Sequence, residues 1–484
     1  MLIQHAKLWK NNEFLNEVLM NDATLFQELK GAVGGQVLND SESLNAVSGD
    51  FGRMITRVPQ VVVRPSSAED IAAVIRIGIR NNLPISSRSA AHSQSGQALN
   101  QGGILLDMTA LNQHFQVDTE ENTCIVDAGI LWNDLVNRLK PYKLIPPVLT
   151  NNLNVAVGGT LSMAGIGVAS FRYGVQGDNC LGLQVVTGAG EIVECSPTVN
   201  SELFYHTLCG LGQFAIIARA KLKLRPHKSH VRTFFLVYDD LKAVLRDQRA
   251  LIEEGRMDYI ESWCTALPLG FKKVMEVKQT FGEWFFPTQL TFEFDPEGPL
   301  PDPEKCLQGL SYYRHSHTED MEIYDFVNRL ENLFEIWKRM GYWANAHPWM
   351  ETLLPWDVAE NYMKQILQIL PPAALGGGHV LFWPSSGRTS NLPLFKRPDS
   401  DYIVGFGILP GVPKDLLDQA IPRLNMASEL SEAVGGKRYL SGLVQFDRTK
   451  WMEHYDTSWD EMKRMKKKYD PNGVLNPGFI DFAE

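Results

Sequence analysis

Four clusters of small residues punctuate the first half of this chain, and they restrict what it can fold into. They are SSRSAAHSQSGQ (86–97), VGGTLSMAGIGVAS (157–170), RYGVQGDN (172–179) and CGLGQFA (209–215), each in or just after an expected strand. Glycine, alanine and serine in loops let backbone N–H groups approach a ligand closely, and a row of them can cradle phosphate oxygens. Several such loops close together point to an extended anionic cofactor lying across them; tight packing between sheet layers is the bland alternative. A nucleotide-binding Rossmann domain is excluded by context. Gly210, Gly212 and Ala215 fit G-x-G-x-x-A, but that fingerprint needs a helix after it. Here a long strand follows, and Ser170 stands where the third glycine after Gly165 and Gly167 belongs.

Around these loops the chain reads as an α+β fold. QVVVRP (60–65) is an expected strand and SSAEDIAAVIRIGIRNN (66–82) an amphipathic helix, with Ser66 and Glu69 at capping-box spacing and Ile71, Val74, Ile75 and Ile79 on one face. LPIS (83–86) reads as a strand leading into the His92 loop. Strands are expected at 102–108 and 123–129, a helix at 130–142, a hairpin at 184–196 and a long amphipathic strand at 214–226. Further on, 321–343 carries a helical pattern. We divide the chain into an N-terminal part (1–226), a second domain (227–445) and a C-terminal segment (446–484) that returns to the first domain.

Composition narrows the function classes. A net charge of −10 argues against a non-specific nucleic-acid binder, and the basic run MKRMKKK (462–468), flanked by acidic residues, reads as a solvated helix face. No apolar run suits a membrane span, and the N-terminus lacks a secretory h-region, so a cytoplasmic protein is expected. The six cysteines show neither a CxxC pair nor regular spacing, which fits reduced thiols, and no metal site is expected. His92 sits among side chains too small to pack a core. No partner ligands lie near it for a metal; general base, covalent cofactor attachment and an ordinary structural role stay open on the pattern alone.

Ordered motifs over most of the chain resemble the vanillyl-alcohol oxidase and p-cresol methylhydroxylase superfamily, and within it the cytokinin dehydrogenases. DFG (50–52) with VPQVVVRPSSAEDIAAVIR is similar to the entry into the first FAD subdomain, and RSAAHSQSGQA (88–98) to the flavinylation loop. The later FAD loops match in order and spacing; MDYIESW (257–263), AHPWMETLLP (346–355), KRYLSG (437–442) and KKYDPNGVLNPG (467–478) resemble signatures of the substrate domain and the closing segment. The resemblance implies a two-domain flavoprotein: an FAD-binding PCMH-type domain of two α+β subdomains, and a substrate domain with an antiparallel sheet covered by helices. It implies FAD bound covalently through an 8α-linkage to His92, with Ser89, Ala90, Ala91, Ser93, Gly96, Gln97 and Ala98 in the same loop. Thr150, Gly158, Gly159, Thr160, Ser162 and Gly165 would lie against the pyrophosphate and flavin. Gly210, Gly212, Gln213 and Ile217 would border the adenine end, with Tyr439 and Pro477 also at the cofactor. TNNLNVAVGG lacks the cysteine of doubly linked relatives, so one bond is expected.

Several positions depart from the family pattern. Ser89 and Ala91 replace usual glycines, and a positive φ at Ala91 would be strained. The family's catalytic aspartate aligns with Asn151, which cannot take a proton at neutral pH, while its supporting glutamate is Glu261. A carboxylate that contacts the adenine ring aligns with Phe334, flanked by Glu331 and Glu335. His347, Trp349 and Tyr439 are further candidates for the pocket wall, whereas Trp263 and Trp343 are expected in the core. Three functions follow: hydride removal from a C–N bond of a cytokinin-like secondary amine, oxidation of a different amine or alcohol in specialised metabolism, or FAD carriage without turnover. The partners expected are a small-molecule substrate and an electron acceptor, oxygen or quinone-like, with no nucleic acid and no membrane.

Overall fold

The computed structural model describes residues 22–274, 277–370 and 375–482. Among them, a four-stranded sheet runs in the order Gln36–Leu38, Val61–Arg64, Ile104–Asp107, Ile85–Arg88, the last three parallel to one another. Parallel strands need a crossover, and the helix Ala68–Arg80 supplies the one from Val61–Arg64 to Ile85–Arg88, the two strands that flank Ile104–Asp107. Its buried face is Ile71, Val74, Ile75 and Ile77. The N-cap is Ser67, whose hydroxyl accepts from Asp70 N at 3.2 Å, one residue later than the spacing predicted. Ser66 instead donates its hydroxyl to the Asp70 carboxylate, which also accepts from Gly34 N and Gly35 N and so ties the preceding turn to the helix start.

A five-stranded antiparallel sheet follows in the order Phe115–Asp118, Thr123–Asp127, Ala215–Lys223, Cys180–Thr187, Ile192–Cys195. The long strand Ala215–Lys223 is central to it, and the expected hairpin is the pair Cys180–Thr187 with Ile192–Cys195. The helix Trp132–Leu139 and the short helix Val157–Leu161 contribute to one apolar core with this sheet.

An eight-stranded antiparallel sheet is built from Arg314–Glu322, His230–Tyr238, Val277–Phe294, Tyr259–Val274, His379–Ser386, Tyr402–Leu409, Met350–Pro355 and Lys437–Tyr439, in that spatial order. The helices Leu241–Glu254, Trp356–Ile369 and Leu417–Ala433 share its apolar core through residues such as Val244, Met363 and Ala427. The helical pattern predicted over 321–343 is broken. Met321 and Glu322 end a strand, and Ile323–Val327, Glu331–Arg339 and Tyr342–Ala344 are separate turns of helix. Asn328 and Gly341 interrupt them, Gly341 with φ +81°.

The chain then comes back to its first half. Leu475 bridges Ile85, and Gln213 donates its side-chain amide to the Asn476 carbonyl. The helix Trp459–Tyr469 buries Met462 and Met465, and Lys466 departs from the solvated-face expectation: it turns inward to the Asp470 carboxylate and the Gln213 and Leu475 carbonyls. None of the described helices is long and apolar enough to cross a membrane.

Candidate active site

The strand Ile85–Arg88 ends where the His92 loop begins, and neighbouring backbone holds that loop down. Phe51 N donates to Ala91 O, Gly52 N to Ser93 O, and the buried Asp50 carboxylate accepts from Gly96 N and Ser93 Oγ. Burial raises the Asp50 carboxyl, which these hydrogen bonds oppose. Gly52 has no room for a side chain, since a Cβ there would stand 2.7 Å from Gln94 Cα. The far side is anchored by Gln94 Oε1, which accepts from Trp349 N, and by Ser95, whose hydroxyl donates to Gly442 O and accepts from Val444 N. Held this way, Ala91 takes a φ of +48°. That is the strained backbone the sequence raised as a condition, and it turns the next side chain into a cavity.

That cavity has a volume of about 350 Å³ and runs between the small-residue loops and the eight-stranded sheet. It is bordered by Ser89, Ala90, Ala91, His92, Ser93, Gln97, Ala98, Thr150, Gly158, Gly159, Thr160, Ser162, Gly165, Gly212, Ile217 and Tyr439, together with Asn151, Glu261, Phe334 and Trp349. Gly210 and Pro477 do not border it. A Cβ on Gly210 would lie 1.9 Å from the His206 carbonyl, so that glycine serves chain packing; Asn476, beside Pro477, reaches the cavity instead. Trp343, expected in the core, is on the cavity wall, whereas Trp263 packs against Leu381, Trp383 and Leu409. His347 stands behind the His92 loop, stacked on Phe51. Trp337, His379, Trp383, Glu351 and Ser441 also border the cavity. Sequence reasoning missed these five as site residues, although two of them fall inside quoted motifs.

His92 stacks on Phe51 with ring centroids 4.1 Å apart and 18° between planes, and His347 covers the opposite face of Phe51 at 4.2 Å. Loss of solvation lowers both imidazoles to about 4, so both are neutral at pH 7. A neutral imidazole keeps a nitrogen lone pair, which a nucleophile or a covalent anchor needs.

At the cavity's polar corner, Arg329 donates to Asn151 Oδ1 at 3.0 Å and to Glu261 Oε2 at 2.6 Å, while Asn151 Nδ2 donates to Glu261 Oε1. The three side chains form a closed ring of hydrogen bonds, an ion pair bridged by an amide, with Glu261 buried and Arg329 partly so. Phe334 faces the cavity, and its flanking acids are engaged elsewhere: Glu331 accepts from Asn154 and Glu335 from Lys338.

The cavity walls offer polar groups and open floor to a bound cofactor. Gln97 Nε2 is buried without a partner, and a Cβ on Gly212 would meet nothing closer than Asn476 Nδ2 at 4.0 Å. Trp349 Nε1, Trp383 Nε1 and His379 Nδ1 are likewise buried and unpartnered. Buried polar atoms of native proteins are normally paired, so a cluster of orphans in one cavity's walls marks where ligand atoms go.

Residues 59–196 match the family model described as FAD binding domain, and residues 302–482 the one described as cytokinin dehydrogenase 1, FAD and cytokinin binding. An uncharacterized oxidoreductase, ORF5 in the fasciation locus of Rhodococcoides fascians, is 30% identical over 91% of this chain and 97% of its own length. Cytokinin dehydrogenase 9 of Oryza sativa subsp. japonica is 30% identical over 90% of this chain and 88% of its own. Cytokinin dehydrogenase 2 of Arabidopsis thaliana is 29% identical, with 91% and 92% covered.

Proposed function

Since the chain belongs to the cytokinin dehydrogenase family of FAD-linked oxidoreductases, we propose that it removes a hydride from the C–N bond of a cytokinin-like secondary amine, with FAD held covalently at His92. The observation that carries this reading is one cavity joining the His92 loop, an aromatic wall and the Asn151–Glu261–Arg329 ring. Bound FAD supplies a two-electron acceptor. His92 would hold it, its ring oriented by Phe51; Gln97 and the open floor at Gly212 would receive its polar atoms. Trp349, Trp383 and Phe334 offer flat apolar faces that fix a planar substrate and keep water away. Asn151 Oδ1 has a second lone pair besides the one Arg329 uses, and it would orient the substrate by accepting a hydrogen bond from a donor on its ring, without taking a proton.

A second reading, oxidation of a different flat amine or alcohol, is favoured by one feature. Phe334 puts an apolar ring at the wall where the resemblance leads one to expect a purine-recognising carboxylate. Two experiments test the proposal. Acid precipitation should leave yellow colour in the protein pellet, and His92→Ala should release it to the supernatant; wild-type flavin that dissociates on denaturation refutes the covalent bond. Anaerobic mixing with adenine-type cytokinins and with unrelated amines and alcohols should bleach the flavin. Bleaching only by non-purine compounds selects the second reading, and no bleaching despite tight binding points to carriage without turnover.

A further inference from the structure

Glu351 lies on the strand Met350–Pro355 and borders the same cavity as His92 and Asn151. Its register partners are Gly407 and Tyr439. A Cβ on Gly407 would sit in ordinary contact, 3.5 Å from Glu351 Cγ and 3.6 Å from Trp383 Cζ3, so this strand position lies against both the carboxylate stem and the indole. Ser441 Oγ donates to Glu351 Oε2. Among the described residues, Glu351 Oε1 has no hydrogen-bond partner. The orphaned ring nitrogens of Trp349, Trp383 and His379 belong to the walls of this same cavity.

The cavity's other carboxylate is engaged on both oxygens. Glu261 is bound by Arg329 and by the Asn151 amide, and Asn151 itself cannot take a proton. We propose that Glu351 is the proton acceptor of this active site, taking the amine proton from the sheet side of the cavity while the Asn151–Glu261–Arg329 ring only orients the substrate. This rests on the amine-oxidation reading above. The atoms balance simply. The C–H bond next to nitrogen breaks with its electron pair leaving as hydride to the bound FAD, the N–H bond breaks with its proton passing to Glu351 Oε1, and the substrate departs as an imine.

The surroundings of Glu351 suit that task. Burial raises its carboxyl to about 7, against the pull of the Ser441 hydrogen bond and the nearby Arg438 guanidinium, whose Nε donates to the Glu351 backbone carbonyl at 3.1 Å. The Tyr439 phenol is raised by burial and stays neutral, His379 is lowered to about 4 and is also neutral, and the strand Tyr402–Leu409 faces Glu351 with a glycine. An acceptor that titrates near the working pH is the efficient kind.

The test uses the flavin-loaded protein and N6-isopentenyladenine and N-methylbenzylamine as probes. In wild type, the anaerobic flavin-bleaching rate should rise with pH through about 7. Glu351→Gln should cut it by about 100-fold or more and flatten that limb. Ser441→Ala removes a hydrogen bond that favours the carboxylate, so the midpoint should move to higher pH. A second readout does not depend on turnover: in infrared difference spectra of protein carrying 13C-glutamate, a carboxyl band lost in Glu351→Gln should titrate with the same midpoint. Each variant's flavin absorption spectrum reports its folding. A Glu351→Gln rate within tenfold of wild type, or a Glu351 carboxyl that ionises below about pH 5, overturns the inference and leaves the proposed function standing. Wild-type flavin that no amine bleaches removes both.

Discussion

Asn151 shows how much a single atom decides at the scale of a residue. An amide in place of a carboxylate adds donors, and the structure uses them: Nδ2 donates to Glu261 and Oδ1 accepts from Arg329. Restoring the acid with Asn151→Asp places two carboxylates against one guanidinium, and like charges at that distance raise one of the pair. The variant should bleach about tenfold faster or more with N6-isopentenyladenine if proton acceptance at this position suits that substrate; stopped-flow absorbance measures it. Arg329 has the opposite weight. Arg329→Met leaves the buried Glu261 charge uncompensated, which typically costs about 3–5 kcal/mol, and urea unfolding should show it. The buried histidines set an acid limit. His92, His347 and His379 are lowered to about 4 and His454 to about 3, chiefly by desolvation. Below about 6.5 the unfolded chain binds these protons before the folded one does. The stability they contribute is therefore present above that pH and is lost as pH falls through about 4, and Tm measured from pH 7 to 4 should drop steadily.

At the scale of the element, local pattern and local structure agree where the signal is short-range. The helix Ala68–Arg80 was legible from its apolar spacing, yet its cap was misplaced by one residue. Ser66 and Ser67 look alike in sequence, and only the Asp70 carboxylate, which must also satisfy Gly34 N and Gly35 N, draws the Ser66 hydroxyl away from capping. Ser67→Ala should cost about 1 kcal/mol in chemical denaturation. The His92 loop depends on close approach more than on propensity. Gly52→Ala puts a methyl 2.7 Å from Gln94 Cα, so the loop has to move. We expect a loss of stability of about 1–3 kcal/mol and a falling share of flavin retained after acid precipitation. The region 321–343 misled the pattern because its apolar residues face different neighbours in turn. Ile323 and Phe326 enter the core beside the five-stranded sheet, while Phe334, Trp337 and Trp343 face the cavity.

At the scale of the whole molecule, the cavity wall is drawn from several parts of the chain, so a ligand there holds them together. A ligand that binds only the folded state stabilises it by mass action. His92→Ala should therefore lower Tm and make it rise with added FAD, whereas the wild type, if its cofactor is covalent, should be insensitive to added FAD; a thermal-shift titration separates the two. The small-residue loops, the main strands around them and the position of His92 were readable in the sequence, because backbone reach, alternation and the steric needs of a close-lying ligand act on neighbouring residues. What only tertiary structure decided is which distant groups meet: Arg329 reaches Asn151 across 178 positions, and Ser441 reaches Glu351 across 90. Glu351 in its motif looks like any strand residue. Its proton affinity comes from burial, and burial is a property of the assembled walls around a side chain, which no stretch of sequence carries by itself.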